Sequence, residues 1–178
     1  MRWQVLVTAV LCTYLCGVVA EPPKKIEPAA TVATFKRELK GALLEGLARG
    51  PANAIDACRI AAPEIAANLN RDGVIIGRTS DRLRNPANTA PAWVQPIMNA
   101  YLNDPDERLA RTVALAGSRT GYVEPITAQP LCLTCHGSSL APDVTAAISA
   151  HYPDDRAVGF RAGDLRGVFW VEIPTAGP

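Results

Sequence analysis

Histidine and methionine are scarce in this chain, two of each among 178 residues. Any site needing imidazole or thioether donors must draw on His136, His151, Met1 and Met98. A surplus of charge of either sign is also missing. The 18 Lys and Arg face 17 Asp and Glu, and no stretch interleaves basic residues with aromatics. That pattern argues against nucleic acid as a partner. No internal repeat is visible, and no βαβ pattern surrounds a cysteine pair.

Long apolar runs are absent apart from one at the N-terminus. Met1-Arg2 supplies a positive charge, and the run from Trp3 to Ala20 ends in Val18-Val19-Ala20 before polar Glu21-Pro22-Pro23-Lys24-Lys25. This reads as a secretory signal cleaved after Ala20, leaving residues 21–30 as a flexible lead. An uncleaved membrane anchor is the rival, because the run sits at the lower edge of spanning length. Leu11 and Leu15 precede Cys12 and Cys16, where a lipidated cysteine would follow a small residue. Loss of Arg2 would bring Lys plus Arg to 17 and the net charge to zero. The remaining length suits one domain with a proper core.

Of the five cysteines, two would leave with the signal and Cys58 stands alone. The other two form Cys132-Leu133-Thr134-Cys135-His136. Two thiols at this spacing, followed at once by an imidazole, are the arrangement that attaches haem covalently. Each thiol adds across one vinyl group of the porphyrin, and His136 turns its ring onto the iron. A thioredoxin-like dithiol would need the βαβ context that is missing. A tetrahedral zinc site would need a fourth ligand, with Cys58 or His151 as the available donors. Covalent haem attachment occurs outside the bacterial cytoplasm, so the motif and the signal together point to the periplasm.

Periodicity gives the organisation. Val32, Phe35, Leu39, Leu43 and Leu47 recur at helical spacing between Ala30 and Ala48, and Gly50-Pro51 breaks the run. A second helix is expected over 52–69, with Ile55, Cys58, Ala62, Ile65 and Leu69 as its stripe and a kink or break at Pro63. Short β-branched or alternating segments predict strands at 74–80, 111–116, 121–126 and 164–173, with a turn at Gly117-Ser118-Arg119-Thr120. Residues 85–91 read as a structured loop, and 93–102 and 142–152 as short helices. The haem motif falls on a loop or short helix. This order predicts an α+β domain with an antiparallel sheet. A four-helix cytochrome would need helical periodicity near the C-terminus, where this chain has strand residues, Gly and Pro.

The partner of His136 on the opposite side of the iron is open. Past His136 there is no methionine; Met98 lies upstream, and His151 reads as an exposed residue before a turn. Cys58 reads as a small core residue on an apolar helical face, or as a thiolate ligand that would donate strongly to iron and lower its potential.

Several blocks carry a resemblance. They are Ala54-Ile55-Asp56-Ala57-Cys58 with Ala62-Pro63; Gly77-Arg78-Thr79-Ser80 with Arg84-Asn85-Pro86-Ala87-Asn88 and Trp93; and Cys132 to Gly137. Next come Tyr152 to Ala157 with Gly159-Phe160, and Gly163-Asp164-Leu165-Arg166-Gly167. In this order they resemble the Tll-like family of bacterial and cyanobacterial single-haem domains, long classed as a domain of unknown function. The resemblance spans about 31–174. It implies a PAS-like fold, an antiparallel sheet packed against helices, and an unusual axial pair, here His136 with Cys58. Family domains occur alone or attached to sensor kinases, and this chain would be of the stand-alone kind. Phe160 stands where Tyr is common in the family.

Two haem propionates need cationic or hydroxyl partners if partly buried. Arg78, Arg84, Arg166 and Tyr152 are the candidates; the plainer role for each Arg is to anchor a loop through backbone carbonyls. The expected cofactor is one covalent haem c, with metal ligands His136 and Cys58 and no catalytic residues. Electron transfer with a redox protein partner is the first functional expectation. A redox or gas sensor that releases Cys58 is the second. A peroxidase-like enzyme ranks last, because no acid/base pair for an open distal site is visible.

Overall fold

A computed structural model describes residues 26–175. The apolar N-terminal run, its cleavage point and residues 21–25 of the expected lead lie outside the described residues. The first helix begins earlier than the periodicity suggests. Helix α1 spans Pro28–Ala48, so the end of the expected lead at residue 30 is corrected: residues 28–30 are helical. Pro28 explains this, because a first-turn proline sacrifices no needed N–H and arrives with helical φ. The helix stops at Arg49-Gly50, where Gly50 takes φ 114° ahead of Pro51.

The expected second helix forms, but not as a kinked α-helix. A 3₁₀ turn over Pro51–Ala54 leads to a π-helical turn over Ala57–Ala61 and then to α2, Ala62–Leu69. Pro63 accounts for the widening. It has no N–H to give, and its ring would press on the carbonyl one α-turn back. The π turn inserts one residue, and the Ala62 N–H reaches back to the Ala57 carbonyl. Such bulges occur often at functional sites, and this one carries Cys58.

Strand β1 covers Ile75–Thr79. After a loop come α3 (Gln95–Asn103), β2 (Arg111–Leu115) and β3 (Arg119–Thr127). The turn between β2 and β3 is tighter than the sequence suggests, with Gly117 at φ 69° and Ser118 at φ 52°, so Arg119 and Thr120 join the strand. Helices α4 (Leu133–His136) and α5 (Pro142–His151) follow, and β4 (Leu165–Pro174) ends the fold. The sheet is antiparallel throughout, in the order β1-β4-β3-β2. The α+β expectation therefore holds.

Strand alternation divides the core. Ile76, Phe169, Val171 and Ile173 meet Val32 and Phe35 of α1 and Ala62 and Ile65 of α2. On the opposite face Val123, Leu165 and Val168 meet Val94, Ile97 and Tyr101 from the α3 region. Leu165 and Val168 are an odd number of residues apart yet share a face. The register explains it: Ile126 pairs with Gly167 and Thr127 with Leu165, leaving Arg166 as the extra residue of a β-bulge. The bulge brings Arg166 to the same side as Phe169, which an unbroken strand would not allow.

Gly167 makes this crossing of β1 and β4 feasible. Its φ is 152°, and a Cβ there would collide with the Thr79 carbonyl. Gly167→Ala should lower unfolding free energy by on the order of 3 kcal/mol, the upper range for a strained backbone position. Denaturant titration checks this, and a loss within about 0.5 kcal/mol, typical of neutral surface changes, would contradict it.

Candidate functional site

The stripe on α1 serves two purposes. Val32 and Phe35 fill the core, whereas Leu39, Leu43 and Leu47 of the same face line an open cleft. The same cleft is lined by side chains of the 131–136 segment, by Tyr152, and by Phe169 and Ile126 of the sheet. The cleft encloses about 1150 Å³, including its mouth to solvent. Cys58, Cys132, Cys135 and His136 all line it, as do Arg78, Arg84, Arg166 and Tyr152. Residues 78 apart in sequence are thus brought to one space. Met98 is buried on α3 outside this lining, and His151 is exposed as the last residue of α5.

The motif sits on a 3₁₀ turn (Pro130–Cys132) that runs directly into α4. One helical turn puts Cys132 and Cys135, three residues apart, on neighbouring positions of the same face. Both thiols and Cys58 are free. Burial pushes the Cys135 thiol up against the pull of Arg84, so it stays protonated. Among the described residues, no group of three or more His, Cys, Asp or Glu is placed to hold a metal ion by itself.

His136 is held firmly. Its Nδ1 lies 2.7 Å from the Ala157 carbonyl oxygen. A carbonyl can only accept, so Nδ1 carries the proton and Nε2 keeps its lone pair. The backbone follows the ring: Phe160 N–H donates to the His136 carbonyl (2.9 Å) and Gly159 N–H to Gly137 (3.0 Å). The Phe160 ring meets the imidazole edge-on at 6.2 Å. Burial first, then Arg166 and Arg84, pull the His136 pKa down to about 2. The ring is therefore a neutral donor at any ordinary pH.

The cationic residues divide by role. Arg84 is a buried anchor, as the plainer reading allowed. Its Nη2 donates to Cys135 O (2.6 Å), to Asp155 Oδ2 (3.1 Å) and to Ala157 O (3.4 Å). Arg78 donates to Cys58 O at 3.3 Å. Arg166, delivered by the bulge, stacks over Phe160 at 5.1 Å and has no hydrogen bond or ion pair among the described residues. Burial, then Arg78 and Arg84, lower its pKa to about 10, so it remains charged at neutral pH. Burial likewise raises the Tyr152 phenol.

This arrangement fits a porphyrin with two carboxylates. Three guanidiniums, Arg78, Arg84 and Arg166, line the cleft; Arg84 alone of them is ion-paired, to Asp155, and no Asp or Glu lines the cleft among the described residues. Buried Arg84 Nε and Thr79 Oγ1 lack partners, and buried polar atoms rarely stay so. The apolar wall from α1 and Phe169 suits the flat hydrocarbon faces of the ring. Cys58 and His136 offer two donor atoms from different elements.

The sequence did not single out Asp155, Ala157, Phe160 or Thr79 as site residues, although all four fell within the blocks of resemblance. Ala157 acts through its backbone oxygen, which leaves no mark in a side-chain code. Leu39, Leu43 and Leu47 were visible only as a helical stripe.

Comparison with known proteins agrees with this geometry. The crystal structure of the cyanobacterial heme-protein Tll0287 superposes with a TM-score of 0.62 at 28% identity, covering 84% of this chain and 96% of that one. The likeness supports a PAS-like arrangement of sheet and helices. No curated protein matches. The family described as Tll0287-like matches residues 15–174. The chain belongs to the Tll0287-like family.

Proposed function

We propose that this protein binds one haem covalently through Cys132 and Cys135, with His136 and Cys58 as axial ligands, and carries electrons in the periplasm. The observation that carries the reading is the tautomer lock on His136. The 2.7 Å bond to Ala157 leaves Nε2 as the free donor in a cleft that also holds three thiols. A bound haem supplies one-electron chemistry at its iron.

The chain's own groups account for the rest. Leu39, Leu43, Leu47 and Phe169 exclude water from one side of the cleft. Arg78 and Arg166 offer positive charge to the two propionates, and Thr79 and Tyr152 offer hydroxyls. Cys58 rides on the π turn beside α2, which Pro63 keeps from closing into a regular helix. A ligand held by such a fixed backbone needs little movement when the charge at the site changes, as suits a carrier. A redox protein is the expected partner. Neither a carboxylate nor a second histidine lines the cleft among the described residues.

A second reading rests on the same turn. The segment bearing Cys58 joins 3₁₀, π and α geometry within 19 residues, Pro51 to Leu69. Loss of the thiolate by protonation would free one side of the cleft, and the domain would act as a redox or gas sensor. Carbon monoxide separates the two. Rapid binding to the reduced wild-type protein supports a sensor; no binding supports a carrier.

Replacing both motif cysteines (Cys132→Ala with Cys135→Ala) should abolish covalent attachment, read as pigment lost to acid-acetone extraction. Pigment that stays with the protein would refute the attachment. Cys58→Ala should convert a low-spin ferric spectrum to one with an open or water-filled position. An unchanged absorption and paramagnetic resonance spectrum would remove Cys58 from the ligand set.

A further inference from the structure

Arg84 and Asp155 form a salt bridge at 3.1 Å with side chains only 7% and 8% exposed. Burying such a pair is costly, and removing one partner typically loses about 3–5 kcal/mol. Neither side chain is needed to close the sheet, and Asp155 does not line the cleft. What the pair touches is the support of His136. Asp155 Oδ1 accepts the Ala157 N–H at 2.8 Å, which fixes the turn that presents the Ala157 carbonyl. Arg84 Nη2 donates to that same carbonyl and to the carbonyl of Cys135, the residue before His136. One guanidinium thus grips both the backbone that carries the imidazole and the oxygen that receives its proton.

We propose that Arg84 and Asp155 are positioning residues for His136, and that their balance sets how strongly the Ala157 oxygen accepts the imidazole N–H. The consequence for a bound iron rests on the haem reading above; the effect on the ring itself does not. A carbonyl that also receives a guanidinium N–H has less electron density to offer Nδ1–H. The ring then keeps its proton more tightly, donates less through Nε2, and favours the reduced metal. Asp155 works against this, because its carboxylate draws the guanidinium toward itself. The two residues therefore act with opposite sign. Arg84→Gln should strengthen the His136–Ala157 bond and lower the reduction potential. Asp155→Asn should leave Arg84 to the carbonyls, weaken that bond and raise the potential.

Charge alone would move the potential in the same directions, so a second readout is needed. The ¹⁵N and ¹H signals of His136 Nδ1–H report the hydrogen bond directly. In the haem-loaded full-length protein they should shift in opposite senses in Arg84→Gln and Asp155→Asn. Arg166→Gln, which removes a nearby charge without touching Ala157, should move the potential and displace those signals far less than Arg84→Gln does. Arg84→Lys keeps the charge, but its ammonium stands one bond short of the Nη2 position from which Arg84 makes all three of its bonds. It should restore part of the potential and leave the ring signals displaced.

The same signals, read in the Cys132→Ala/Cys135→Ala chain, test the ring without haem. There Asp155→Asn should reduce the preference for the Nδ1–H tautomer by up to about tenfold, the scale of one hydrogen bond. Failure of haem attachment would sink the functional reading and leave this measurement standing. Unmoved His136 signals in Asp155→Asn, an isosteric change in a chain that keeps its circular dichroism, would overturn the positioning role. So would an Arg166→Gln variant that displaces the ring signals as far as Arg84→Gln does.

Discussion

The contact from His136 Nδ1 to the Ala157 oxygen ties the motif to a strap distant from it in sequence. The 155–160 strap carries no regular secondary structure, yet its polar backbone is spent on the motif: Ala157 O, Gly159 N and Phe160 N all bond to His136 or Gly137. Arg82 then lies over Phe160 at 3.5 Å and donates to Val158 O, which fastens the strap from outside. A buried irregular segment must satisfy its amides somewhere. Here the site and the strap satisfy each other, so the imidazole is oriented as a by-product of folding.

Two local irregularities deliver the remaining side chains. The π turn comes from Pro63, and the β-bulge at Arg166 comes from the close crossing at Gly167. In each case a regular element would have been more stable taken alone, and each irregularity sits next to a cleft-lining residue, Cys58 or Arg166. Helices and strands repeat at fixed periods, so an element whose regular face would miss the cleft has to break its period to reach it. In α1 the period suffices, because Val32 to Leu47 stay on one stripe while the sheet falls away beneath them.

This division also explains what the sequence could reveal. Thiols and an imidazole at short spacing are written in side chains, so Cys132, Cys135 and His136 stood out as candidates, and the fold brings all three to the cleft. Strands β1 to β4 were legible from alternation, to within a residue or two at their ends. Cys58 had two readings from its residues alone; the family blocks favoured one, and the fold brings its side chain to the cleft. Arg166 was legible as a candidate, but not the reason it reaches the cleft, since a bulge is a property of two strands together. Pro63 announced an interruption, but the widened turn depends on what packs around it. Ala157 was hidden because its role passes through backbone atoms, and Asp155 because its carboxylate acts on the Ala157 N–H and Arg84 and not on the cleft.

The cleft has a consequence for the folding of the chain itself. Arg166 without a counter-ion, Arg84 Nε and Thr79 Oγ1 without partners, and three leucines lining open space all weigh against the folded state. A group that supplies two carboxylates and a broad apolar face would relieve these together, and its binding free energy would add directly to stability. The contacts of the strap and the ion pair from Arg84 Nη2 to Asp155, by contrast, are made by the chain alone. The imidazole is therefore set before anything enters the cleft, while the opposite side, with Cys58 on its bulge, is the part left to complete. That order places the oriented imidazole first and leaves the Cys58 side to be completed by what enters, on a backbone whose turn Pro63 already fixes.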